Sequence, residues 1–384
     1  MTTDLQLKPR LVSRALLLRF VSIVGSSIGF YLPLSVVPLF AKQTGSDSGA
    51  GLATVALLLA TVAAELVTPR LIARVGYRWA LAVGLVLLGA PTAVLAFSSD
   101  VRVIVAVSVV RGIGFAIAIV AGGAVTALLI PADRRGEGLA LVGIVGGIPS
   151  LLALPAGVWA AAHWGFTPVF VATTVATLLA LLSVPGLPRH AATRREDGGH
   201  GVVAGLRNAV LTRPATVFAV AAAAVGVVVT FLPLATSDQP AWIAAGALLA
   251  QQAAATVARW FAGRVGDRHG PGRLLVPGVV LSAIGMAAIA YTATPAAVLG
   301  GAVVLGAGFG ALQNATLVLM YARVPAGGES AVSAIWNAAY DLGMAAGALG
   351  AGLLIGSVGY AATFAVAAVV LLPALAVVRR DCRP

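Results

Sequence analysis

The sequence predicts an all-α membrane protein with twelve transmembrane helices arranged as two six-helix repeats. Three observations carry that expectation. The composition is too apolar for a soluble chain, apolar runs of spanning length follow one another in regular order, and residues match at a constant offset between the two halves.

The chain has 384 residues, of which 60% are hydrophobic and 10% charged, and its mean hydropathy is +1.00. A soluble domain carries roughly 25% charged residues. One as apolar as this would lack the polar material to cover its surface. The 45 Gly and 20 Pro sit inside apolar runs, where spanning helices tolerate them because neighbouring helices re-satisfy the backbone. The net charge of +12 is dispersed in short segments between those runs rather than gathered into one patch. That pattern orients a chain in a membrane and argues against a nucleic-acid partner. A single cysteine, Cys382, excludes a disulfide framework and a cysteine-based metal site.

Crossing the hydrocarbon takes about 20 mostly apolar residues. Six such runs lie near 16–40, 51–68, 79–97, 103–129, 138–161 and 168–185, and six more near 214–235, 241–261, 274–292, 296–322, 330–356 and 359–378. With both termini cytoplasmic, the inner segments hold 21 of the 25 Lys and Arg and the outer segments only Lys42 and Arg102. Such a bias sets topology. The N-terminal run, of about 25 residues, is too long for a signal peptide and reads as the first span.

An offset of 194 residues lays Val109–Phe115 on Val303–Phe309, Pro131-Ala132 on Pro325-Ala326, and Arg74 with Gly76 on Arg268 with Gly270. A shift of 200 lays Tyr31-Leu32-Pro33-Leu34 on Phe231-Leu232-Pro233-Leu234. The expected division is an N-terminal six-helix bundle over 1–185, a cytoplasmic linker over 186–213 and a C-terminal bundle over 214–384. Parallel repeats of this kind build alternating-access carriers, and a polar, Gly-containing linker suits two halves that rock.

After span 8 the chain reads Gly263-Arg264-Val265-Gly266-Asp267-Arg268-His269-Gly270; after span 2 the counterpart keeps Arg74, Gly76 and Arg78 but has Ala73 where the acid would stand. This G-x-x-x-D-R-x-G loop resembles the signature loop of the major facilitator superfamily. With the repeat and the topology, the resemblance covers nearly the whole chain and implies the major facilitator fold. Glycine permits a tight turn and close helix approach, and Asp267 can cap a helix. The charges either latch one state of the carrier or merely fix topology.

Span 4 places Arg111-Gly112-Ile113-Gly114-Phe115 close to mid-membrane, where a cation is costly and rarely lacks purpose. It is similar to the span-4 arginine motif of the drug:proton antiporter branch, which implies influence on proton transfer from a nearby carboxylate. A structural arginine bonded to backbone carbonyls is the other reading. Span 5 has Gly143–Pro149, with Ile148 interrupting the Gly-Pro pair of the antiporter pattern. Span 11 carries Trp336, Asn337, Tyr340 and Asp341, with Asn337 and Asp341 four residues apart on one face. A buried carboxylate can alternate between charged and neutral states, so Asp341 suits proton coupling or substrate binding; an interhelical hydrogen bond is the plainer role. Glu65 and Arg259 are 194 residues apart in spans 2 and 8. They suggest either an inner gate or two snorkelling side chains. Gln251, Gln252, Gln313 and Asn314 are further polar residues within spans, and Pro33, Pro38 and Pro233 offer bending points.

His163, His190, His200 and His269 lie in or beside loops without paired-ligand spacing, and the G-x-x-x-x-G-K-[ST] phosphate loop is absent. No enzyme, metal or cofactor is therefore expected. The expectation is a monomeric plasma-membrane secondary transporter with protons as coupling ion, exporting a small organic compound or metabolite. A proton-linked importer or a facilitator of the same fold is the alternative.

Overall fold

The computed structural model describes residues 12–42, 47–130, 135–188, 208–240, 242–324 and 329–381. Most of the expected linker, the Pro131-Ala132 and Pro325-Ala326 pairs, His190, His200 and Cys382 lie outside them. All regular structure among the described residues is helical.

The first expected span is two helices, α1 (Arg14–Tyr31) and α2 (Val36–Lys42). Pro33 has no N–H to continue the ladder, and the chain turns over 32–35 before Val36 and Val37 bond back to its carbonyl. Spans 2 and 3 fall in one helical run, α3 (Asp47–Gly89), which turns at Gly76 and continues into a 3-10 segment, Ala90–Ala96. There follow α4 (Val101–Leu129), α5 (Arg135–Trp164) and α6 (Phe166–Leu181). The C-terminal helices are α7 (Ala209–Ala235), α8 (Trp242–His269), α9 (Leu275–Ile289) and α10 (Pro295–Tyr321). The last two are α11 (Glu329–Leu371), turned at Gly359, and α12 (Ala374–Asp381). Pro233 lies in the last turn of α7 and does not break it.

Among the described residues, nine helical stretches are long and apolar enough to cross a membrane; two, of 48 and 49 residues, each contain one of these glycine turns. Helix α8 is not among the nine, because Gln251, Gln252, Arg259, Arg264 and the charges near its end dilute its apolar character.

The repeat is visible in the backbone. Positive φ occurs at Gly76 (78°), Gly165 (82°), Gly270 (85°) and Gly359 (77°), two pairs each 194 residues apart. An L side chain is strained in this region, so the same backbone turn demands glycine in both halves. Close helix approaches repeat as well. A Cβ on Gly112 would stand 2.1 Å from the Leu57 carbonyl oxygen, and one on Gly306 would stand 2.2 Å from that of Gln251. The two glycines are 194 residues apart, and so are the two residues whose carbonyls they meet. Without a hydrophobic driving force between helices in lipid, small residues that let backbones meet are what pack α4 on α3 and α10 on α8.

Helices α1–α6 pack mainly with one another, as do α7–α12; the principal crossings are α3 on α11, α5 on α8 and α2 on α7. Several crossing contacts lie at one end. The Ser35 hydroxyl donates to the Val229 carbonyl at 2.5 Å, and the Thr230 hydroxyl to Thr54 at 3.2 Å. Lys42 Nζ donates to the Tyr360 hydroxyl at 2.6 Å. Gly51 meets α11, where an added Cβ would be 2.8 Å from the Ala348 oxygen and 3.5 Å from the Gly352 Cα. Toward the other end, no residue from 141 to 150 in α5 is buried, and Arg259, Trp260 and Phe261 of α8 are exposed.

Candidate functional site

Helix α11 carries most of the expected site. Phe218 of α7 stacks on Trp336 at 4.3 Å between ring centroids and on Tyr340 at 5.9 Å. Phe309 of α10 completes the aromatic stack. The Trp336 Nε1–H donates to the Thr316 hydroxyl at 3.1 Å. Stacked rings and a satisfied indole hold the backbone of this part of α11 against α7 and α10. That anchorage fixes Asp341, whose side chain is only 7% exposed. Asn337, one turn away, is exposed.

Around Asp341 the structure gathers groups from four helices. The carboxylate interacts electrostatically with Glu65 of α3. Tyr31 of α1 lies in the field of both Asp341 and Arg259, and Tyr340 in the field of Tyr31, Asp341 and Arg259. Two carboxylates, one guanidinium and two phenols, from α1, α3, α8 and α11, are thus linked by electrostatic interactions. Glu65 and Arg259 are equivalent in the repeat, and Arg259 is within electrostatic reach of the Tyr340 and Tyr31 phenols. Glu65 is half-buried and Arg259 exposed, and among the described residues no ion pair joins them.

Tyr31 was not among the candidates drawn from the sequence. Its signal was there: it is the last helical residue before the Pro33 turn, in the very segment used to align the repeat.

Arg111 is 1% exposed. Its Nη2 donates to the Gly29 carbonyl at 3.1 Å, while Nε has no partner. Phe115, one turn further along α4, stacks on Phe30 at 3.7 Å. The bond to Gly29 is the kind a structural arginine makes; the free Nε–H is a buried donor still to be satisfied, and such donors are expensive to leave so. Arg111 is not among the charges acting on Asp341.

Arg19, one of the 21 Lys and Arg assigned to inner segments by the charge count, is buried within α1, at 6% exposure. Its Nε donates to the Gly122 carbonyl and the Thr126 hydroxyl, both at 3.0 Å, and its Nη1 to Ser22 at 2.7 Å. A Cβ at Gly122 would collide with the guanidinium at 2.2 Å. It ties α1 to α4 rather than marking topology at the surface.

In the signature loops, Gly76 and Gly270 make the turns, Arg74 and Arg268 are exposed and Arg78 is half-buried. Gly263 does not serve close approach, since an added Cβ would meet nothing nearer than Asn314 at 3.7 Å. Arg264 lies 3.5 Å over the Trp260 ring. The Asp267 side chain lies outside what is described. Gln251 is fully buried with both amide atoms unpartnered.

A search of curated proteins finds no matching relative. Solved structures do match. A nucleoside transporter, NupG, in a mutant form superposes with a TM-score of 0.80 at 14% identity, covering 97% of this chain and 100% of that one. A peptide transporter, POT, bound to alafosfalin superposes with a TM-score of 0.74 at 15% identity, covering 95% and 94%. At these identities the likeness is one of fold. Residues 19–250 and 235–383 match the Major Facilitator Superfamily in sequence. An all-helical chain with a two-fold internal repeat, a carrier fold and that match over nearly its whole length belongs to the Major Facilitator Superfamily.

Proposed function

We propose that the chain is a secondary transporter of twelve spans in two six-helix halves, 1–185 and 214–384, joined by a cytoplasmic linker, 186–213, with both termini cytoplasmic. It exports a small organic compound across the plasma membrane in exchange for protons, as the drug:proton antiporter branch does. The observation that carries this reading is the cluster of Asp341, Glu65, Arg259, Tyr31 and Tyr340, lying between helix sets that are joined at one end by Ser35, Thr54, Lys42 and Gly51.

The coupling follows from electrostatics. A charged carboxylate carried through an occluded, low-dielectric state is costly unless a proton or a cationic group of the substrate compensates it. Asp341 and Glu65 therefore permit the halves to rock when loaded with protons or substrate and oppose rocking when empty. Because both ligands relieve the same charge, they compete, and competition for one site is exchange. Arg259 and the two phenols orient the substrate, Trp336 and Asn337 border the site, and Arg111 sets the polarity of the N-terminal half. The signature-loop residues Arg74, Arg78, Asp267 and Arg268 latch the inner end when it shuts, with Glu65 and Arg259 as the gate.

The fold neighbours carry a nucleoside and a peptide by name, which favours a second reading, uptake or facilitated passage of a metabolite by the same cycle. The test is Asp341→Asn in proteoliposomes, with a substrate chosen by thermal-shift screening. Proton exchange requires that net flux driven by a pH gradient be lost while counterflow of labelled substrate at equal pH survives. Gradient-insensitive flux in the unmodified protein establishes the facilitator instead.

A further inference from the structure

On the outer face of the C-terminal helices, a groove of 540 Å³ runs between α9 and the last part of α11, lined by Ile284, Ala287, Tyr291, Ala365 and Val369. At Leu372 it meets a second depression of 530 Å³, lined by Leu375, Ala376, Arg379 and Arg380. The chain turns at residues 372–373, so α12 carries its two exposed arginines to the end of the apolar groove. Arg213 adds a third guanidinium at this corner, its Nη1 donating to the Arg380 carbonyl at 3.4 Å. Asp381 follows in sequence, and one acid does not offset three arginines.

The dimensions fit one kind of occupant. Ala365 to Leu371 rises roughly 9 Å along α11 and Ala374 to Arg380 roughly 9 Å along α12, so with the turn between them the path is at most about 22 Å, about the depth of one leaflet from mid-plane through headgroup. Apolar lining gives way to positive charge along that length, in the order in which a phospholipid gives way from acyl chain to phosphate. Arginine forks are suited to a phosphate, and basic pockets between spans on the cytoplasmic side bind anionic headgroups. A second copy of the chain fits less well. A two-fold contact here would set this basic corner against its own image.

We propose that this groove holds one anionic glycerophospholipid, with an acyl chain between α9 and α11 and its phosphate on Arg379 and Arg380 beside Arg213. Native mass spectrometry of the purified full chain, exchanged into phosphatidylglycerol or phosphatidylcholine, tests it. One phosphatidylglycerol is expected to remain bound, with no comparable retention of phosphatidylcholine. The double variant R379Q/R380Q weakens retention by roughly 25-fold, about fivefold for each basic residue near an anionic headgroup; R379K/R380K retains most of it. Ala287→Phe with Ala365→Phe, both at exposed positions of the groove, removes binding although the arginines remain. Equal loss in R70Q/R74Q, an exposed pair elsewhere, overturns the proposal in favour of diffuse charge. Displacement by inorganic phosphate overturns it in favour of a free-anion site, and retention after groove filling or a dimer lost with R379Q/R380Q overturns it equally.

Discussion

Replacing Gly51 by valine should hold the carrier open at the end that is shut here. Gly51 packs on α11 where the two sets of helices meet, and even a methyl group would stand 2.8 Å from the Ala348 oxygen and 3.5 Å from the Gly352 Cα. The first distance is shorter than real Cβ contacts, and its partner is backbone, so no rotamer change relieves it. Overpacking a close contact costs about 1–3 kcal/mol. In the alternating-access cycle proposed above this contact belongs to the shut state alone, so the cost falls on that state and shifts the equilibrium toward opening by roughly 5- to 150-fold. The assay uses the single native cysteine to advantage: with Cys382 replaced by serine, Thr54→Cys reports opening. Thr54 is 2% exposed and bonded across the interface to Thr230, so a bulky maleimide reaches it only when the ends part. Labelling in Gly51→Val should accelerate by at least fivefold in protein that remains folded. An unchanged labelling rate in a folded Gly51→Val protein would refute the claim that this contact belongs to a state rather than to the fold.

Gly112→Ala and Gly306→Ala put a methyl group about 2 Å from the carbonyl oxygens of Leu57 and Gln251. Both should lower the melting temperature, each by about 1–3 kcal/mol of stability, and by similar amounts if the repeat is structural; a harmless Gly306→Ala breaks the equivalence. Gln251→Leu should stabilise the protein, because the amide is fully buried and unpartnered and relieving it is worth about 1–3 kcal/mol. Leu57 already fills the equivalent slot in the first half. A lower melting temperature for Gln251→Leu would show that the amide is satisfied. Lys42→Met removes the 2.6 Å bond to Tyr360, a charged hydrogen bond worth about 1.5–3 kcal/mol. It should raise the Thr54→Cys labelling rate in the same direction as Gly51→Val.

The architecture was largely legible because its causes are local. Apolar length and glycine at turns are properties of short segments, and the 194-residue offset that paired Gly76 with Gly270 in the sequence returns as a matched pair of positive φ angles. The 32–35 break was half legible: Pro33 marked a bend, but whether a proline kinks or ends a helix depends on what packs around it, and Pro233 shows the other outcome. The site was legible on α11, where Trp336, Tyr340 and Asp341 stand together in sequence. Tyr31 was missed because its partners come from α8 and α11, and no local pattern records a meeting of helices that distant in sequence. Arg19 misled for the same reason. Its charge looked like topology until Gly122 and Thr126, more than 100 residues away, proved to be its partners. Gly263 erred the other way, a motif glycine with room to spare.

Proton movement measured alongside substrate movement tests the central claim most directly. Purified protein in proteoliposomes loaded with a pH-sensitive dye should move protons opposite to substrate when substrate is added on one side. Asp341→Asn should abolish the dye signal while substrate exchange at equal pH continues. Substrate flux with no proton movement in the unmodified protein, or a full proton signal in Asp341→Asn, would contradict the account.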